Sequence, residues 1–167
     1  MNKSKEFLLY MRNFIFGTED SLVSTVGLLA GVASAGLGRR EIIISGIVLI
    51  FVEAFSMAVG SYLSEHSTSE SMDQGGHAHG TTVKGALIMF VSYFFSGAIP
   101  LIPFLVLEGK LAFWSSIILT LCALFALGFA SARVLKTNTW KSAIRMLCIG
   151  GIAVALGVAI GIAFKQA

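Results

Sequence analysis

Polar residues interrupt this chain at only four places, and the stretches between them are apolar almost throughout. A helix needs roughly 20 apolar residues to cross about 30 Å of hydrocarbon. Runs at 14–37, 42–64, 85–107, 111–135 and 142–164 meet that length. Gly38-Arg39-Arg40-Glu41 closes the first run and Glu108-Gly109-Lys110 turns the third into the fourth. The third run carries Pro100 and Pro103 near its far end, and Pro103 is capable of ending that helix early. The pattern predicts an all-α integral membrane bundle of five transmembrane helices, a single transmembrane domain over 1–167.

Composition strengthens this reading. The 167 residues are 56% hydrophobic and 13% charged, with a mean hydropathy of +0.85, whereas soluble domains carry about 25% charged residues. Eighteen glycines against two prolines suit closely packed membrane helices, where small residues let backbones approach. A formal charge of +3 is too small to suggest nucleic acid as a partner; the lipid bilayer is the expected surrounding. Cys122 and Cys148 lie in apolar runs without metal or redox spacing and read as reduced packing residues. No cleavable signal peptide is expected, because the first run is too long, lacks a small-residue cleavage site and contains Glu19 and Asp20. Short termini favour a prokaryotic cell membrane, or a vacuolar membrane in a eukaryote.

Basic residues set the orientation. With the N-terminus cytoplasmic, the inner pieces hold Lys3, Lys5, Arg12, Lys84, Arg133, Lys136, Lys141 and Arg145, eight against the outer four, Arg39, Arg40, Lys110 and Lys165. Arg39-Arg40 is a local objection to that bias. The same topology puts the polar segment 65–84 in the cytoplasm. Its Ser, Thr, Gly and Gln content reads as a flexible loop. It holds Glu65, His66, Asp73, His77 and His79, with Glu70 and Met72. Such a tract can capture a divalent cation weakly or serve as a plain solvated linker.

The chemistry sits on two helical faces. Glu53 stands inside an otherwise apolar run, where a charged side chain costs at least about 2.5 kcal/mol. Met57 lies one turn later and brings a thioether to the same face, followed by Gly60 and Ser64, with Ser56 beside them. A carboxylate that exchanges a proton for a cation is the simplest physical basis of antiport. Ferrous iron and manganese accept carboxylate ligands, and a thioether adds preference for a softer transition metal over Mg or Ca. In the first run, Asp20, Ser24, Gly27, Gly31 and Ser34 share a stripe, with Glu19 beside Asp20. Asp20 reads either as part of the ion path or as an interfacial residue of a packing seam. No single face completes a coordination shell. The missing ligands come from another helix or from a second subunit across a two-fold axis, and the Gly27/Gly31 seam would suit that interface. Gly150-Gly151 and Gly157-x-x-x-Gly161 of the fifth run read as helix packing.

The same residues carry a family resemblance. Glu19-Asp20-Ser-Leu-Val-Ser-Thr-Val-Gly-Leu-Leu-Ala-Gly31 resembles the first-helix signature of the vacuolar iron transporter family. Glu53-Ala-Phe-Ser-Met57-Ala-Val-Gly-Ser-Tyr62-Leu-Ser64 resembles its second-helix motif, and Ser96-Gly-Ala-Ile-Pro100-Leu-Ile-Pro103-Phe is similar to its third-helix proline pair. The resemblance spans nearly the whole chain. It implies a homodimeric, proton-coupled exporter moving Fe(II), and often Mn(II), out of the cytosol, with no permanently bound cofactor. It also implies that Asp20, Glu53 and Met57 line the ion path; Glu19, Ser24, Ser56 and Ser64 are secondary candidates from the helical faces alone. The chain departs from the family in lacking its longer glutamate-rich cytoplasmic region between the second and third helices. It also has Ser61 where many relatives carry an acid, and Ser21 where they carry glycine. The competing reading is a non-transporting membrane assembly or interaction subunit in which Glu53 is a structural hydrogen-bond partner. An enzyme is not expected: no nucleophile with its base, cofactor cradle or catalytic metal triad stands out.

Overall fold

A computed structural model describes residues 3–71 and 78–165. They form five helices, α1 (Lys3–Ser34), α2 (Arg39–Ser71), α3 (Ala78–Val106), α4 (Gly109–Val134) and α5 (Thr139–Lys165). All five are long and apolar enough to cross a membrane. α1 packs against each of the other four and forms the axis of the bundle.

Tight reversals lead from α1 into α2 and from α4 into α5. Gly36 takes φ +88° after α1. Its N–H then bonds the Ala33 carbonyl at 3.1 Å while the Leu37 N–H reaches the Val32 carbonyl at 3.4 Å. This crossed pair satisfies carbonyls that the helix end would otherwise strand. α4 ends the same way around Lys136, whose φ of 54° is unusual for a residue with a Cβ. There Lys136 N–H bonds Arg133 O at 3.3 Å and Thr137 N–H bonds Ala132 O at 2.8 Å. Asn138 opens α5 by accepting the Lys141 N–H on its side-chain oxygen at 3.0 Å.

The expected flexible loop over 65–84 is corrected at both of its ends, over 65–71 and 78–84. α2 continues to Ser71 and α3 begins at Ala78, so Glu65 and His66 are helical. α1 likewise begins at Lys3, well before the apolar run. Hydropathy marks the stretch that lipid surrounds, whereas a helix persists wherever its backbone and side chains find partners. Arg12 of α1 forms an ion pair with Glu65 of α2, Asn13 Nδ2 donates to Ser61 Oγ at 3.0 Å, and Thr68 Oγ1 donates to the Ser64 carbonyl at 2.8 Å.

Pro103 does not end α3 early, since the helix runs through both prolines to Val106. Neighbouring groups meet the backbone there, as membrane helices require. Ser116 Oγ of α4 donates to the Pro100 carbonyl at 2.6 Å, and Leu107 N–H bonds the Pro103 carbonyl at 2.8 Å. Arg39 caps the end of α3, donating to the carbonyls of Phe104 at 2.8 Å and Leu105 at 2.5 Å and to Glu108 Oε1 at 2.9 Å. Exposed Trp114 near the start of α4 and exposed Trp140 at the start of α5 mark opposite ends of the bundle. Trp140 packs beside Phe129, at a ring-centroid distance of 6.2 Å; along α4, Trp114 and Phe129 lie about 22 Å apart at 1.5 Å per residue.

The half of the bundle away from the N-terminus has an apolar core. Leu29, Ile42, Ile50, Leu101, Phe104 and Ala112 form an apolar cluster there. Beside it α1 and α5 touch backbone to backbone: a Cβ on Gly31 would lie 2.9 Å from the Gly157 carbonyl oxygen, and one on Gly157 or Gly161 would strike the carbonyls of Gly27 or Gly31. This overturns the expectation that the Gly27/Gly31 seam suits a subunit interface. α5 of the same chain occupies it, because its own small residues match the groove.

Candidate metal path

The other half of the bundle is open and carries polar side chains among its apolar ones. α1, α2 and α3 enclose a cavity of about 690 Å³ lined by Arg12, Asn13, Phe16, Ser56, Met57, Gly60, Ser61, Ser64 and Met89. Arg12 and Glu65 face each other beside it. Close pairings lock the three helices at this level. Asn13 is buried and bonded to Ser61, and a Cβ on Gly17 would crowd the side-chain oxygen of Ser92 and the carbonyl of Met89.

One turn further into the membrane lie the acids. Asp20 of α1 and Glu53 of α2, both half-buried, are within electrostatic reach of one another, and Tyr93 of α3 is within reach of both. Tyr93 is fully buried, and its hydroxyl shares a 2.7 Å hydrogen bond with Ser24 Oγ. Its backbone carbonyl accepts a 2.6 Å hydrogen bond from Ser21 Oγ. Ser21 and Ser61, the two departures from the family pattern, therefore both serve as hydrogen-bond partners between helices.

The structure brings Asp20, Ser24 and Glu53 to one level, and puts Met57, Ser56 and Ser64 along the cavity on the N-terminal side of them. Glu19 goes elsewhere: its neighbours are Asp20 and Arg145 of α5, which sets it on the α5 side of α1. Glu65 pairs with Arg12, and the His66 ring lies 5.7 Å from that of Tyr62. Asp73 and His77 fall outside the described residues, as does the side chain of His79. Among the described residues no three His, Cys, Asp or Glu side chains converge on a point.

Tyr93, Asn13 and Met89 escaped the reading of the sequence. Tyr93 left a signal, because a tyrosine far from both ends of a membrane run must find a partner for its hydroxyl. Asn13 sits just before the first apolar run and looks like part of a polar flank. Met89 left none, since a lone methionine in an apolar run resembles ordinary filling.

The pattern of the VIT family matches this chain over residues 11–77 and 72–162, two stretches that meet where α2 gives way to α3. Vacuolar iron transporter homolog 1 of rice, Oryza sativa subsp. japonica, is 27% identical over 167 aligned positions, covering 88% of this chain and 70% of the rice protein. The vacuolar iron transporter of Toxoplasma gondii is 23% identical over 220 positions, covering 89% and 73%. Vacuolar iron transporter 1 of Eucalyptus grandis is 24% identical over 203 positions, covering 86% and 82%. Each alignment is longer than the part of this chain that it covers, so all three relatives carry insertions against it, the Toxoplasma and Eucalyptus proteins the most.

Proposed function

Because this chain belongs to the VIT family, we propose that it carries ferrous iron, with manganese as a second substrate, out of the cytosol in exchange for protons. Its relatives are named as iron transporters, which supports membrane transport over enzymatic chemistry. One observation carries the reading: Asp20 and Glu53, from two different helices, lie within electrostatic reach of one another one turn beyond the cavity that Met57 lines. Two carboxylates within electrostatic reach inside a membrane repel one another. That repulsion is relieved by a metal ion or by protons, and alternating between the two is antiport. Met57, on the cavity side of Glu53, adds a donor that favours iron over magnesium or calcium.

The direction follows from orientation. Placing the N-terminus in the cytosol agrees with the basic-residue bias, and Arg39, the local objection to it, is committed to the end of α3. The cavity then opens toward the cytosol while the apolar cluster around Leu29 and Phe104 seals the far side, an inward-facing state ready to load. A two-fold homodimer would supply ligands that the described residues of one chain do not gather. The exposed Ser56, Gly60 and Ser64 of α2 offer a small-residue face for that contact. The membrane is the cell membrane of a prokaryote, or the vacuolar membrane in a eukaryote.

The test is transport by purified protein in liposomes with an imposed pH gradient. Wild type should move Fe(II) and Mn(II) against protons, and Glu53→Gln and Asp20→Asn should abolish exchange while eluting as the same folded species. Normal transport by both variants would sink the mechanism. A wild type that transports nothing, in an assembly that Glu53→Gln disrupts, would favour the structural-subunit reading.

A further inference from the structure

The cavity holds a second thioether that the route through Asp20 and Glu53 does not use. Met57 enters it from α2 and Met89 from α3. We propose that Met57 and Met89, with the side-chain oxygen of Asn13, form an entry site that selects thiophilic divalent metal ions before they reach the acids.

A buried methionine usually just fills space, and three observations separate Met89 from that role. It lines the same cavity as Asn13 and Ser61 while being only 3% exposed, so its thioether is held beside polar groups. Across from it stands Gly17, where even a Cβ would come within 3.1 Å of the Met89 sulfur; the absence of a side chain leaves that sulfur its room. Asn13, 1% exposed, uses its amide nitrogen on Ser61. No other hydrogen bond engages that amide among the described residues, which leaves its oxygen as a donor to a cation.

Charge at the site is consistent with a passing cation. Arg12 borders the cavity, but its guanidinium is paired with Glu65, so the cation meets no uncompensated positive charge. The donors themselves are neutral. Thioethers hold Mg(II) and Ca(II) poorly, since those ions take hard oxygen ligands, so it is the two sulfurs that discriminate in favour of softer metals, while the amide oxygen adds a neutral ligand. Neutral donors also bind weakly enough to release the ion onward. This site deepens the transport reading and takes its direction of flow from it, whereas binding at the site is measurable without any transport.

The experiment uses the full chain in lipid nanodiscs, with Cd(II) as thiophilic probe and Mn(II) and Mg(II) as hard ones. Titration calorimetry should show Met89→Leu, a volume-conserving change, weakening Cd(II) by about tenfold and Mn(II) by less than about twofold. X-ray absorption of the Cd(II)-loaded protein should count two sulfur neighbours in wild type and one in Met89→Leu or Met57→Leu. Met89→Gln, which replaces sulfur by a harder donor, should shift preference toward Mn(II). Fewer than two sulfurs in wild type overturns the proposal whatever the variants do. Equal weakening of all metals by Met89→Leu overturns it too, because that marks packing rather than ligation. A wild type that binds Cd(II) through two sulfurs yet moves no metal in liposomes sinks the transport reading and leaves this site standing. Transport whose metal preference ignores Met89 does the reverse.

Discussion

The two halves of this bundle meet opposite demands with the same small residues. On the side away from the N-terminus, glycines bring α1 and α5 into backbone contact, and Leu29, Ile50, Leu101 and Phe104 fill the remaining space. On the N-terminal side, Gly60, Ser56, Ser61 and Ser64 leave room, and the room is lined with donors. A small side chain therefore has no fixed meaning in a membrane helix. Facing another small residue it makes a seal, and facing none it makes a vestibule.

The contrast is sharpest when each half is broken in turn. Gly161→Val should have the largest effect on folding, because its side chain would meet the Gly31 backbone, which has no flexible end to move aside. A loss of about 3 kcal/mol or more is expected, read as a fall in thermal midpoint in detergent with scrambled elution. In the open half, Glu53→Gln should leave that midpoint nearly unchanged while lowering metal-for-proton exchange by about a hundredfold or more. If instead Gly161→Val folds normally, or Glu53→Gln unfolds the protein, the division of labour drawn here is wrong. Asn138→Ala removes the side-chain acceptor that starts α5 and should cost about 1 kcal/mol, with no change in metal selectivity. The smallest effect is expected at Lys136, whose positive φ suits glycine. Lys136→Gly should raise stability by about 0.5–1 kcal/mol, visible as a small upward shift of the same midpoint.

The sequence made the helices legible and left their neighbours hidden. Five apolar runs announced five crossings, and Glu53 stood out because an acid in hydrocarbon needs a reason. The same logic failed at the polar ends, where α1, α2 and α3 extend beyond their apolar runs, since hydropathy measures the surroundings of a helix and not its length. It failed again at Gly27 and Gly31. Spacing shows that a seam exists, but only packing shows that α5 fills it.

What the chain determined by itself was local: spans, the spacing of Glu53 and Met57, the motif around Asp20, and the family these belong to. Each depends on residues a few positions apart on one helix, whose geometry is the same in any fold. What tertiary structure alone decided was which faces meet. It brought Asp20 to Glu53, sent Glu19 toward Arg145, joined Tyr93 to Ser24 and set Met89 beside Met57 in one cavity. Those pairs lie far apart along the chain, and their approach depends on how helices rotate and cross, a collective outcome of every contact between them.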